Sequence, residues 1–428
     1  MLKKEKIRTI YWIVYYLKNY WNAKKNVSHD YISVNNDVYF VDSHIDFKRD
    51  IKKSYKDPWI SPIKYCVKPR VNEENVKKAI SDIEENTCIM FKKQEHCKND
   101  TQEIVFKEGE ACVSFIGHVS KNHSQIITLS SGCYINPYII LHEIGHALGL
   151  VHEHSRKDRD EYVKINLNSL ISNEEGNYQI IEHPKYFNYS TAYDYSALMH
   201  YAPYDFATFW KWAFGYPVIS PRLSWQYSRM MGQRKKMTFN EYKRINLCYC
   251  NWCNWADNIT GKVIKNYKNN KDNKKTKNNI ADCRNGGYPD FRNCSKCLCP
   301  TGYTGNLCDK IMPSDEKCGK DTKFQVNNTG ASLILQGKMN CNIFLQAENK
   351  KTIELNIMYV NAPYKNKICT EDVGYQFKYR KDKGATGLLL CGTYIQNTIV
   401  TSESDSILVM YKGDSDHSLL TLFFKQIN

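Results

Sequence analysis

The chain has 428 residues, length for about three domains, and its 42% hydrophobic and 25% charged content is ordinary for globular protein, which excludes wholesale disorder and a collagen-like fibre. The net charge of +15 is concentrated: residues 1–28 hold six Lys and one Arg against one Glu, and residues 261–280 hold seven Lys against one Asp. The remainder is nearly neutral, so no folded face is expected to bind nucleic acid; no apolar run reaches the ~18 residues of a transmembrane anchor.

In chain order, residues 1–49 read as a leader or propeptide. Met1 to Arg8 is basic and Ile10 to Leu17 apolar, but no small-residue cleavage site follows. A helix is expected from Asn72, which can cap it; Glu73 and Glu74 suit its first turn, and Val76, Ala79, Ile80 and Ile83 share one face. Short strands are expected at residues 88–91, 112–116 and 125–129, and a second helix from Pro137 to Gly149. The Asn/Lys-rich stretch 254–280 reads as a solvated linker, most plainly from Gly261. Beyond Cys318 the pattern alternates: Ile353, Leu355, Ile357 and Tyr359 fall on one face, with β-rich runs at 407–411 and 419–424. That part reads as all-β.

Seventeen cysteines, most of them from Cys248 onward, point to disulfide-stapled extracellular modules and so to a secreted protein. No Cys pair is followed by paired His at zinc-finger spacing. Glycosylation sequons at Asn26, Asn99, Asn122, Asn188, Asn258, Asn293 and Asn327 agree with that compartment. The odd cysteine count leaves at least one thiol outside a disulfide within the chain.

The segment that carries chemistry is His142-Glu143-Ile144-Gly145-His146-Ala147-Leu148-Gly149-Leu150-Val151-His152. On a helix His142 and His146 project from one face, where two imidazoles can approach one zinc ion. Glu143 is placed to take a proton from a water on that metal. Gly149 can adopt a positive φ and reverse the chain, bringing His152 back as a third ligand. Three neutral ligands leave the open position that a hydrolytic zinc requires.

Continued through Glu153-His154-Ser155-Arg156-Lys157-Asp158-Arg159-Asp160, with Tyr193-Asp194-Tyr195-Ser196-Ala197-Leu198-Met199-His200-Tyr201 downstream, the sequence resembles the astacin family of zinc endopeptidases. The resemblance runs from about Ser54 to Cys253 and includes the pair Cys112 and Cys133. It implies a metzincin-type α+β domain at 50–253, with a mixed sheet in its N-terminal lobe and a zinc-binding helix. It further implies one zinc on His142, His146 and His152, and Glu143 as general base and then acid. Tyr201 would be a displaceable fifth ligand that hydrogen-bonds the oxyanion, and Met199 a floor beneath the metal. Glu153 would receive the amine freed on propeptide removal; Lys48-Arg49 offers a cleavage point that would expose Asp50. Asp42 stands near where family propeptides carry an inhibitory Asp, but the usual Gly is absent. A Cys112–Cys133 bridge is implied, and one from Cys88 to Cys253 or Cys250, while the partners of Cys66, Cys97 and Cys248 stay open.

Residues 281–309, ending in Cys297-Leu-Cys299-Pro-Thr-Gly302-Tyr303-Thr-Gly305-Asn-Leu-Cys308, resemble an EGF-like module with a Cys299–Cys308 bridge. Residues 318–428 are similar to a CUB domain, with Cys318–Cys341 and Cys369–Cys391 implied. Asp372 and Asp414 read as loop polars rather than calcium ligands. The expectation is a secreted zinc endopeptidase acting on protein or peptide substrates, with matrix contacts through the appended modules. The alternative is an inactive extracellular binding protein. The intact set of three His, Glu143 and Tyr201 favours the enzyme.

Overall fold

A computed structural model describes residues 51–52, 58–120, 122–181, 186–187, 191–257, 280–364, 368–395 and 397–428. The leader, Asp42, Arg49, Asp50, most of the linker and the sequons at Asn26, Asn188 and Asn258 lie outside these residues.

The N-terminal lobe is a sheet flanked by helices. Strands β1 (Ile63–Val67), β2 (Phe91–Lys93), β3 (Glu103–Glu108) and β4 (Gln125–Leu129) lie in the order β2-β1-β3-β4, parallel throughout. Three expectations change here. The strand expected at 88–91 runs instead over Phe91–Lys93. Residues 112–116 form no strand: Val113 makes a lone antiparallel bridge to Thr128. The run ends because Gly117 turns at φ 73° and sends its N–H to the His146 carbonyl. The sheet is therefore parallel rather than mixed, apart from that bridge.

Helix α1 (Glu73–Asn86) is capped by the Asn72 side chain and buries Val76, Ala79, Ile80 and Ile83. Helix α2 (Pro137–Ala147) begins at Asn136, whose side chain accepts from the Tyr138 N–H. Its far end is tied down by partners from elsewhere in the fold. The carbonyls of His146, Ala147 and Leu148 accept from the Gly117 N–H, the Trp59 indole and the Tyr249 hydroxyl respectively. Helix α3 (Phe239–Tyr249) opens with a capping box of Thr238 and Glu241.

Eight disulfides account for sixteen of the cysteines, leaving Cys248 outside them. Cys88 pairs with Cys250, not Cys253, which instead reaches across the linker to Cys294. Cys66 joins Cys97, Cys112 joins Cys133, and Cys283 joins Cys297. Cys299–Cys308, Cys318–Cys341 and Cys369–Cys391 close locally.

The C-terminal part is two five-stranded sheets packed as a sandwich. In the long strand Thr352–Ala362, Ile353, Leu355 and Ile357 face the core, but a bulge before Tyr359 shifts the phase and Val360 takes the next buried place. The sandwich is no separate bead. Tyr193, Tyr195 and Met230 of the first domain share one apolar core with Tyr375, Phe377 and Leu388.

Candidate metal centre

His142 and His146 lie on the buried face of α2, and both are almost inaccessible to solvent. Gly149 follows at φ 103°, and the reversal brings His152 against them. The three Nε2 atoms converge: His146 to His152 is 3.2 Å and His152 to His142 is 3.3 Å.

The tautomers can be read from their partners. His142 Nδ1 lies 3.0 Å from the Leu198 carbonyl and His146 Nδ1 2.8 Å from the Leu150 carbonyl. A carbonyl only accepts, so each Nδ1 carries the proton and each Nε2 presents a lone pair. Lone pairs meeting at this distance repel one another, and a cation at their focus relieves the repulsion. Two ligands ~2.05 Å from a tetrahedral ion lie about 3.3 Å apart, so the donor set fits zinc. Among the described residues this is the one group of three or more His, Cys, Asp or Glu arranged to hold a metal.

Glu143 is buried beside His142 on α2. Tyr201 is buried too; its ring centroid is 4.5 Å from that of His152 and 4.1 Å from that of His154. Met199 is fully buried under α2, its sulfur 3.2 Å from where a Cβ on Gly145 would stand. Burial and the neighbouring imidazole of His152 hold His154 well below the ordinary imidazole range, so it is neutral. Burial likewise draws His200 down to about 4.

Glu153 is fully buried, and its carboxylate is already compensated. It accepts from Arg244 Nη1 at 2.6 Å and Nη2 at 3.1 Å, from Arg156 Nη1 at 3.1 Å, and from the Asp194 N–H at 2.9 Å. Burial alone would raise this carboxyl; Arg244 and Arg156 outweigh that and hold it below its usual range. Two guanidinium groups thus stand where a new N-terminal ammonium was expected to supply the charge.

Glu241 belongs to the site although nothing in the motif points to it. Its carboxylate accepts from the N–H groups of Leu198 at 3.0 Å and Met199 at 2.9 Å, as well as from Thr238. It fixes the turn whose Leu198 carbonyl orients His142. The Thr238-x-x-Glu241 spacing is a visible capping signal; that the same carboxylate reaches a turn some forty residues earlier is not visible. Arg244 and Asp194 escape sequence reasoning for the same reason, since their partners are distant in the chain.

The family model for the astacin peptidases matches residues 51–250. The chain is similar to zinc metalloproteinase nas-34 of Caenorhabditis elegans, at 27% identity over 370 residues, covering 86% of this chain and 55% of that protein. It is also similar to zinc metalloproteinase dpy-31 of Teladorsagia circumcincta, at 25% identity over 338 residues, covering 76% of this chain and 50% of that one. The chain thus spans about half the length of these relatives. Among solved structures, high choriolytic enzyme 1 of Oryzias latipes, a hatching enzyme zinc-protease, shares 28% identity over 46% of this chain and 92% of its own, with a TM-score of 0.39. Residues 51–250 thus resemble an astacin-family zinc metalloproteinase domain, and the three-His cluster they hold fits zinc.

Proposed function

We propose that the protein is a secreted zinc endopeptidase that hydrolyses peptide bonds of extracellular proteins. The observation that carries this reading is the convergence of three imidazoles, His152 Nε2 lying 3.2 Å and 3.3 Å from the Nε2 atoms of His146 and His142, whose rings are locked by carbonyls. When bound, zinc lowers the pKa of a coordinated water toward about 7 and polarises the scissile carbonyl. Glu143 takes a proton from the attacking water and delivers it to the leaving amine. Tyr201, beside His152, would lie within reach of the bound metal, and its phenol would donate to the developing oxyanion. Met199 packs beneath the ligands.

Residues 281–309 and 318–428 act as EGF-like and CUB modules. The stapled pairings from Cys253 to Cys308 and the β-sandwich support these readings. Through them the enzyme would contact extracellular matrix proteins. The disulfides agree with an oxidising compartment, and no helix among the described residues is long and apolar enough to cross a membrane.

Release of a propeptide after Arg49 remains part of the proposal, with one change of mechanism. Glu153 is ordered by Arg244 and Arg156, so a freed amine would join a formed network rather than create it. The test is to profile a peptide library with the processed enzyme. Cleavage that disappears on chelation and in Glu143→Ala supports the reading. Zinc-loaded protein that cuts no peptide would favour the binding-protein alternative.

A further inference from the structure

The segment leading to Tyr201 has little regular structure, yet three consecutive residues in it are gripped by one loop of the C-terminal sandwich. The Ala192 N–H donates to Asp382 Oδ2 at 2.9 Å. The Tyr193 carbonyl accepts from Arg380 Nη1 at 2.6 Å. The Asp194 carboxylate accepts from both the N–H and the hydroxyl of Thr386, each at 3.0 Å. Arg380 and Thr386 are buried and Asp382 is half-buried. Asp382 Oδ2 also accepts from Asn240 Nδ2 of α3 at 3.1 Å, next to the Glu241 that holds Leu198 and Met199.

From this grip two routes run to the metal ligands. Asp194 donates its N–H to Glu153, the residue after His152, and the Glu153 N–H donates to the Met199 carbonyl. The second route runs along the chain itself, to the Leu198 carbonyl on His142 Nδ1 and to Tyr201. Buried polar groups of this kind must keep their partners, and loss of a group that orients a metal-bound imidazole typically costs about 10- to 100-fold in metal affinity or activity. We infer that the loop from Arg380 to Thr386 is a positioning element of the metal centre, holding residues 192–201 so that His142 is aimed and Tyr201 is placed. The sandwich is then part of the catalytic machinery's support, not only a tether for partners. Arg380 and Thr386 are its positioning residues.

This extends the zinc reading above, so the test separates the two. The full chain is prepared as wild type, as Arg380→Met/Thr386→Val, as Thr386→Val alone, as Arg380→Lys, and as Ile357→Val in the opposite sheet. Each is measured for zinc affinity by chelator competition and for the visible spectrum of its cobalt-substituted form; kcat and KM follow. The double variant is expected to hold zinc about 10-fold more weakly, to show an altered cobalt spectrum, and to lose kcat with little change in KM. Thr386→Val should shift the same way by less, and Arg380→Lys should recover most of the affinity. Ile357→Val should lower the melting temperature alone. Zinc affinity and cobalt spectra that match wild type in both Thr386→Val and the double variant would overturn the inference. If the double variant does not fold, the single variant decides. Failure of the zinc reading is distinct: wild-type protein would take up neither ion.

Discussion

Glu143 and Tyr201 sit on opposite sides of the question of what the metal site does once formed. Neither supplies one of the three imidazoles, so each can be changed without dismantling the site. Glu143→Ala is expected to keep zinc and lose roughly 10²- to 10⁴-fold in kcat, because the proposed proton carrier is gone. Near-normal turnover in that variant would remove Glu143 from its role. Tyr201→Phe should keep metal content and fold, and lose roughly 10²- to 10³-fold in kcat with KM little changed, since in the proposed role the phenol acts on charge that develops only in the transition state. A change confined to KM would contradict that. At this scale the sequence is highly informative: His142, His146 and His152 are readable because helix periodicity and a glycine reversal dictate where they go. Arg244, Asp194 and Glu241 are not, because nothing local to them says which distant carboxylate or N–H they will meet.

The elements that deliver these residues depend on a few backbone choices. Gly149 carries the reversal after α2 at φ 103°, a conformation that costs any side-chain-bearing residue about 1 kcal/mol or more. Gly149→Ala should therefore lower the melting temperature by roughly 2–4 °C and weaken zinc binding, because His152 is displaced relative to His142 and His146. Calorimetry and a zinc titration check both; unchanged affinity would mean that the turn tolerates the substitution without moving the ligand. Helices α1 and α2 are legible from caps and apolar spacing. Strand β3 has no such signal, and residues 112–116 look like a strand without forming one. Short apolar runs carry no period of their own, and only their neighbours decide whether a ladder forms. The bulge before Tyr359 is another tertiary effect, one that shifts which residue of an alternating run faces inward.

Across the whole molecule, the sandwich and the domain that holds the three-His site share a core and are pinned by an ion pair as well as by the grip on residues 192–194. Glu371 lies 2.7 Å from Lys236. Burial alone would raise the Glu371 carboxyl, but Lys236 and Lys378 outweigh it and hold the group down to about 2. The folded value is depressed below an ordinary value of 4.5. This pair's contribution is thus fully present above about pH 4.5 and is lost as the pH falls toward 2. Glu371→Gln should accordingly be clearly less stable than wild type in urea unfolding at pH 6, with the gap narrowing at pH 3. A gap independent of pH would show that the pair does not titrate in this way. Composition places the charge in the leader and linker, and cysteine density places the disulfides. Neither can show that Cys253 staples to Cys294 or that the C-terminal sheets share a core with residues 193–230, since both depend on contacts between parts distant in the chain.

The most direct test of the account is metal stoichiometry tied to turnover in one preparation. Protein stripped with a chelator is titrated with zinc while peptide hydrolysis is followed. The account predicts that hydrolysis is lost on stripping and returns in full at one zinc per chain, and that His146→Ala prevents the return. Hydrolysis that survives complete removal of zinc from folded protein, or that returns fully in His146→Ala, would contradict it.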